Sequence, residues 1–178
     1  FEEYQPHIAF NLLVAFHDVA VYDMHVVSYL ELLKKAYTGC NPRGLMLARD
    51  KGLSKQILAA HRIRSPKFRV FPQGRRPRKP FPLQYPVVVK SVNEEASLGI
   101  SHASLVTSDE KLVERIAFMH ESFGVDVIAE QYVEGRELYI GVFGHERLQT
   151  LPIWELPFDQ LPEGTPHIAT AKVKWDLG

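Results

Sequence analysis

Tyr85-Pro86-Val87-Val88-Val89-Lys90, continued by Ser91-Val92-Asn93-Glu94-Glu95-Ala96-Ser97-Leu98-Gly99-Ile100, is the stretch on which the fold turns. Three consecutive valines favour an extended backbone, because a branched Cβ is crowded in a helix and packs well on a pleated surface. The spacing predicts a strand over residues 85–90. A strand of this composition is expected to be buried, yet it ends in an ammonium group, and burying a lysine without an anionic partner is costly. A phosphate arriving at the strand end would be such a partner. The other reading lays the lysine stem along the sheet and sends its head out to water. In the loop that follows, residues 93–101, small residues let the backbone approach a ligand closely. Successive N–H groups there can cradle phosphate oxygens, and Ser97 adds a hydroxyl. The loop lacks the Gly-x-x-x-x-Gly-Lys-Ser/Thr pattern of a Walker loop, and an ordinary turn reads equally well from these residues alone.

Working downstream, residues 107–123 predict an amphipathic helix. Leu112, Val113, Ile116, Met119 and Phe123 form its buried stripe, and Thr107 with Glu110 forms a capping-box signature. Residues 125–131 predict a second strand, and 138–143 with 147–151 a hairpin turning at Gly144-His145, before a polar loop at 157–166. Upstream, 10–16 has the length and apolarity of a strand, 23–35 reads as a helix, 37–42 as a strand edge entering a turn, and 50–61 as a helix with Leu53, Ile57 and Ala60 on one stripe. Residues 64–82 contain the run Arg75-Arg76-Pro77-Arg78-Lys79-Pro80. Proline removes backbone donors and biases its predecessors to extended conformations, which suits a solvated connector; the competing reading is a nucleic-acid arm.

Composition narrows the classes. The chain has 178 residues, 46% of them apolar, enough for one domain or two small subdomains. Its 21 Lys and Arg balance 21 Asp and Glu, which argues against a general affinity for nucleic acid or acidic membranes. No apolar run approaches the roughly 20 residues that span a bilayer. The single cysteine, Cys40, excludes an internal disulfide and fits a reducing, cytoplasmic setting. No Gly-x-Ser-x-Gly elbow, cysteine pair or His-x-x-x-His spacing offers a nucleophile or a zinc site. Both chain ends read as cuts in a longer protein.

Two further groups carry possible chemistry. Lys51 and Lys55 stand one helical turn apart, a like-charge spacing that costs roughly 0.2–0.5 kcal/mol; a nearby anion would relieve it, as would simple solvation. Glu130-Gln131-Tyr132-Val133-Glu134-Gly135-Arg136-Glu137 follows an apolar strand. Its acids could hold ribose hydroxyls and its backbone an adenine edge, or it could be a charged connection between strands.

Together these segments resemble the ATP-grasp superfamily, and within it D-alanine–D-alanine ligase and related carboxylate–amine ligases. The resemblance rests on Tyr37-Thr38-Gly39, Arg49-Asp50-Lys51 with Ser54-Lys55, Val87 to Lys90 with Glu95 to Ile100, Ile128 to Glu137, and Ala171-Lys172-Val173-Lys174-Trp175-Asp176. It implies an α/β (α+β) ATP-grasp-like chain. Residues 1–63 would be a partial pre-ATP-grasp segment with a connecting helix, 64–84 a linker, and 85–178 the nucleotide-binding region: the N-terminal ATP-grasp subdomain and the start of the next. By position, Lys51 and Lys90 would contact the ATP phosphates, and Ala96, Ser97, Leu98 and Gly99 would cover them. Glu130 would accept from the adenine amino group, Gln131 and Val133 would offer their backbones at the hinge, and Glu137 would bind ribose. Lys174 would reach the transferred phosphate as the catalytic residue, with Lys172 competing for that alignment. The chain departs from the pattern at Ser91, where the family often has proline, and at Leu98, where it often has a second serine. The family's magnesium ligands, an acid and a Glu-x-Asn pair, would fall beyond Gly178. No metal ligand is therefore expected in this chain, Mg2+ is expected with the full-length protein, and little ligase activity is expected of the chain alone. The implied function is an ATP-dependent carboxylate–amine ligase working through an acylphosphate on small substrates, with a homodimer as one assembly open to it. The alternatives are a non-catalytic ATP-binding module or a nucleic-acid-binding protein using Arg75 to Lys79.

Overall fold

The computed structural model describes residues 4–94, 100–159 and 167–168. Its centre is a four-stranded antiparallel sheet of β1 (Phe68–Phe71), β2 (Val87–Ser91), β3 (Leu105–Val106) and β4 (Val127–Gln131), in the order β1-β4-β2-β3. Strand side chains alternate between faces, and the registers Val88↔Glu130 and Phe68↔Glu130 fix which residues share one. Val87, Val89, Val127, Ala129 and Phe71 line one face. There they form the core with Val106, Phe81 and the stripe Leu112, Ile116 and Met119 of helix α4 (Asp109–Phe123). Phe71 and Phe81 meet edge to face, with centroids 5.4 Å apart. The opposite face carries Phe68, Val70, Val88, Lys90, Ile128 and Glu130, and helix α3 (Lys51–Ala60) packs on it at β1.

Helix α4 starts one residue later than its capping-box signature implies. The cap is Ser108, whose hydroxyl accepts from the Lys111 N–H at 3.4 Å, in place of Thr107. The helix ends at Gly124 in the left-handed region, φ 64°. Tyr85 donates to Asp109 at 2.5 Å and so ties the start of α4 to the entry of β2.

Three expectations change. Residues 10–16 form no strand: Ala9 makes an isolated bridge to Tyr37 and Phe16 one to Val19, while Phe10, Leu12 and Val14 are exposed. An apolar run becomes a strand only where a neighbour takes up its N–H and C=O groups. Next, the turn at 37–42 opens into an unexpected helix, α2 (Pro42–Arg49), between α1 (Asp23–Leu32) and α3. Asn41 caps it by accepting from the Gly44 N–H at 2.8 Å, and Pro42 occupies its first turn. Finally, the stretch 64–84 is more than a linker, because it contains β1 and the core residue Phe81.

The hairpin at 138–151 is likewise redrawn. β6 (Val142–Phe143) pairs with β7 (Gln149–Thr150), but β5 (Glu137–Tyr139) pairs with the later β8 (Trp154–Leu156). The turn depends on Gly144: at φ 124°, a Cβ there would lie 2.1 Å from the Arg147 carbonyl oxygen. Among the described residues no helix is long and apolar enough to cross a membrane.

Candidate functional site

Three charged side chains converge on the face of the sheet opposite α4. Glu130 ends β4, and its neighbour across the ladder is Val88, which places it diagonally beside Lys90 on β2. Lys90 pairs with Glu130 Oε1, and Lys55 from α3 lies 2.9 Å from Oε2. The Lys55 contact is an ion pair by distance, without the angle of a directed hydrogen bond. Lys55 also sits 5.8 Å from the centroid of Phe68, which faces Glu130 on β1. The Glu130 side chain is 12% exposed, so burial pushes its carboxyl upward. The Lys90 charge and hydrogen bond, with the nearby Lys55 ammonium, outweigh burial and hold it below the ordinary glutamate range. Glu130 is therefore ionised at neutral pH, flanked by two ammonium groups.

Lys51 lies one turn before Lys55 on α3. Its Nζ donates to the Glu94 carbonyl at 2.5 Å and to the Val92 carbonyl at 3.1 Å, which fastens α3 to the chain leaving β2. Asp50 caps the same helix by accepting from the Leu53 N–H at 2.8 Å. Ser91 accepts from the N–H groups of Asn93 and Glu94 at 3.3 and 3.2 Å and shapes the same exit. The serine standing where the family often has proline thus has a structural task. The exit leads into 95–99, so Ala96, Ser97, Leu98 and Gly99 lie outside the described residues, as does Lys174.

The hinge residues are partly committed to the fold. The Gln131 N–H donates to the Lys67 carbonyl at 2.8 Å and the Tyr132 N–H to the Pro86 carbonyl at 3.0 Å. Val133 is 67% exposed. Glu137 is not in the lysine cluster: it lies in the β5–β8 ladder and accepts from Tyr139 at 2.5 Å. Burial, then the hydrogen bond and charge of Glu137, push the Tyr139 hydroxyl up to about 12.

The structure adds two features. Lys55, read in the sequence as a like-charge neighbour of Lys51 and as part of the Ser54-Lys55 motif but given no role, shares Glu130 with Lys90; its position one turn along the same helix face was the available signal. Arg49 forms a buried ion pair with Asp23 that joins α2 to α1. Both border a cavity of about 190 Å³ that reaches Asp50 and Asn93. Residue type alone gave no reason to pair two charges 26 positions apart.

Gly52 sets how closely α3 lies on the sheet. A Cβ at this position would meet Val70 Cγ2 at 2.9 Å, and a β-branched side chain has little freedom to yield. Gly52→Ala gains up to about 1 kcal/mol of helix propensity but incurs an overpacking cost of about 1–3 kcal/mol. A net loss of about 1 kcal/mol in urea denaturation is expected; a gain in stability would show that the helix backs away freely.

Residues 60–160 match the family described as D-ala D-ala ligase C-terminus. The chain is 33% identical over 142 residues to a D-alanine–D-alanine ligase of Syntrophotalea carbinolica, covering 79% of this chain and 44% of that one. It is 30% identical over 151 residues to an uncharacterized protein, y4sG, of Sinorhizobium fredii, covering 85% and 43%. Among solved structures, the D-alanine–D-alanine ligase of Coxiella burnetii superposes with a TM-score of 0.67 at 18% identity, over 85% of this chain and 45% of that one. The Bacillus anthracis D-alanine–D-alanine ligase complexed with ATP gives 0.63 at 20%, over 84% and 53%. The chain thus spans about half the length of the relatives it matches. A matched family region over most of the chain, carried on the same fold, assigns it: the chain belongs to the D-alanine–D-alanine ligase C-terminus family and has the ATP-grasp fold.

Proposed function

We propose that this chain supplies part of the ATP site of an ATP-dependent carboxylate–amine ligase. The observation that carries the proposal is the Lys55–Glu130–Lys90 cluster on the sheet face opposite α4. Two lysines sharing one carboxylate leave the cluster with an excess of positive charge, which suits a polyanionic triphosphate. Its support is the related ligase whose structure is complexed with ATP.

In this reading Glu130 fixes two ammonium groups before the nucleotide arrives, so little side-chain ordering remains to be done on binding. A carboxylate has about four lone-pair positions, so Glu130 can hold both lysines and still accept from the adenine amino group. Lys90 directs its remaining donors at the phosphates. Lys51 secures the root of the 95–99 segment, whose Ala96, Ser97, Leu98 and Gly99 backbones cover them. The backbones of Gln131 and Val133 meet the adenine edge, Glu137 takes the ribose hydroxyls by exchanging its bond to Tyr139, and Lys174 steadies the transferred phosphate. The substrate carboxylate attacks the terminal phosphorus, ADP leaves, and an amine displaces phosphate from the acylphosphate carbon. The family reading brings Mg2+ with the nucleotide. Among the described residues no three His, Cys, Asp or Glu side chains gather to hold a metal, and no step here is routed through one.

Lys90→Ala tests the reading. Loss of a charge-assisted contact is expected to weaken ATP binding by about 1–3 kcal/mol, roughly 5- to 150-fold, in calorimetric titration. Unchanged affinity would remove Lys90 from the site. Ligase chemistry is tested separately, by ADP release from the full-length protein across small carboxylates and amines; nucleotide binding without release with any pair would leave a binding module.

A further inference from the structure

A second basic surface lies on the other side of β1 and takes no part in the nucleotide reading. Arg69, Arg75, Arg76 and Arg78 line one cavity of about 620 Å³, together with Val70, Phe71 and two prolines. None of its lining residues is acidic. Among the described residues, none of the four arginines forms an ion pair. The chain as a whole is neutral, with 21 basic and 21 acidic residues, so the concentration of guanidinium groups is local.

Several contacts hold the cavity in shape. Arg69 belongs to β1, opposite Ala129, and its guanidinium stands 5.5 Å from the ring centroids of both Phe71 and Phe81. Stacking in this way fixes the plane of a guanidinium and leaves its N–H edge available. The Arg75 N–H donates to the Pro72 carbonyl at 3.3 Å, closing a turn through Gly74 at φ 75°. At the far end of the run Lys79 binds Glu110 on α4 at 2.6 Å. The basic run is thus held by a local turn at its start and by an ion pair to α4 at its end. A loose connector would let its arginines spread apart to reduce their repulsion; here they converge.

We propose that this cavity is an anion site, separate from the nucleotide face, for a compact ligand carrying two or more phosphate groups. Guanidinium forks match phosphate oxygens two at a time, and several forks around one cavity select for several phosphates on one small molecule. The volume falls within the range of small-molecule sites. An extended polyanion such as nucleic acid favours a domain with a strong net positive charge, and this chain is neutral.

Sodium tripolyphosphate is the probe, titrated calorimetrically into the full chain, into Arg75→Ala/Arg76→Ala/Arg78→Ala and into Lys90→Ala. All three arginines are exposed, so the triple variant is expected to keep the wild-type circular dichroism. The expected result is one site whose binding survives Lys90→Ala and falls at least about tenfold in the triple variant, whatever further binding the nucleotide face adds in the wild type. Absence of binding to the wild type, or equal binding by the triple variant, overturns the site. Loss in Lys90→Ala alone moves the ligand to the nucleotide face and also overturns it. A single-stranded oligonucleotide that binds more tightly than tripolyphosphate, and more so with length, replaces the small-ligand proposal with a nucleic-acid one.

Discussion

Glu130→Ala is expected to lower the unfolding free energy by about 2–3 kcal/mol at neutral pH, because it leaves two neighbouring ammonium groups without their shared counter-charge. The value sits below that for a fully buried pair because the side chains of Lys55 and Lys90 retain 13% and 23% of their exposure. Urea denaturation measures it. Glu130→Gln separates charge from shape, since the amide keeps the volume and one acceptor. The sign of the pH effect follows from the depressed carboxyl. In the unfolded chain Glu130 titrates near the ordinary value of about 4.3, and in the folded chain it titrates lower. Its contribution is therefore complete above the unfolded value and is lost as pH falls from there through the folded one. The stability gap between wild type and Glu130→Gln should be constant near neutrality and close in acid. A gap that persists unchanged in acid would mean that the ion pairs are not its source.

Leu112→Ala should have a larger effect on stability and none on nucleotide affinity. Leu112 is fully buried between α4 and the strands that carry Val87, Val89, Val127 and Ala129. Truncating a leucine in such a core removes its transfer free energy and leaves a cavity, together about 3–4 kcal/mol. The adjacent Lys111, exposed on the same helix, is the control, and its alanine variant should stay within about 0.5 kcal/mol of wild type. Because α4 packs on the face opposite Lys90 and Glu130, the folded Leu112→Ala protein should bind ATP as the wild type does. A parallel loss of affinity, measured where the variant is fully folded, would show that core packing sets the geometry of the lysine cluster.

The two variants probe opposite faces of one sheet, and their contrast explains how this chain divides its labour. Val87 and Val89 look inward to the core, while Val88 and Lys90 look to the other side. One strand thereby joins a hydrophobic anchor to a charged site with no loop between them. That rigidity suits a cluster whose charges must be held before a ligand arrives.

The sequence by itself determined the elements whose signals are local. The valine run of β2, the helix after Asp50 and most of the α4 stripe are written in neighbouring residues, and the structure places them within a few positions of where periodicity puts them, although Phe123, expected in that stripe, is exposed at the helix end. The order of the short motifs around Lys51, Lys90 and Glu130 was also enough to reach the ATP-grasp family, because each motif is contiguous. Tertiary structure decided what depends on partners distant in the chain. β1 is strand because β4 supplies its ladder, even though it lies in a segment rich in arginine and proline. Residues 10–16 have strand composition but gain only the bridge of Phe16 to Val19, since their backbone partners are side chains such as Thr38 Oγ1 and the Arg49 guanidinium in place of a neighbouring strand. The sharing of Glu130 by Lys55 and Lys90 joins residues 75 and 40 positions from it. Charge alternation along the chain cannot specify such a pairing, because it arises only when α3 settles on one face of the sheet and the register of β2 against β4 brings lysine and glutamate to that same face.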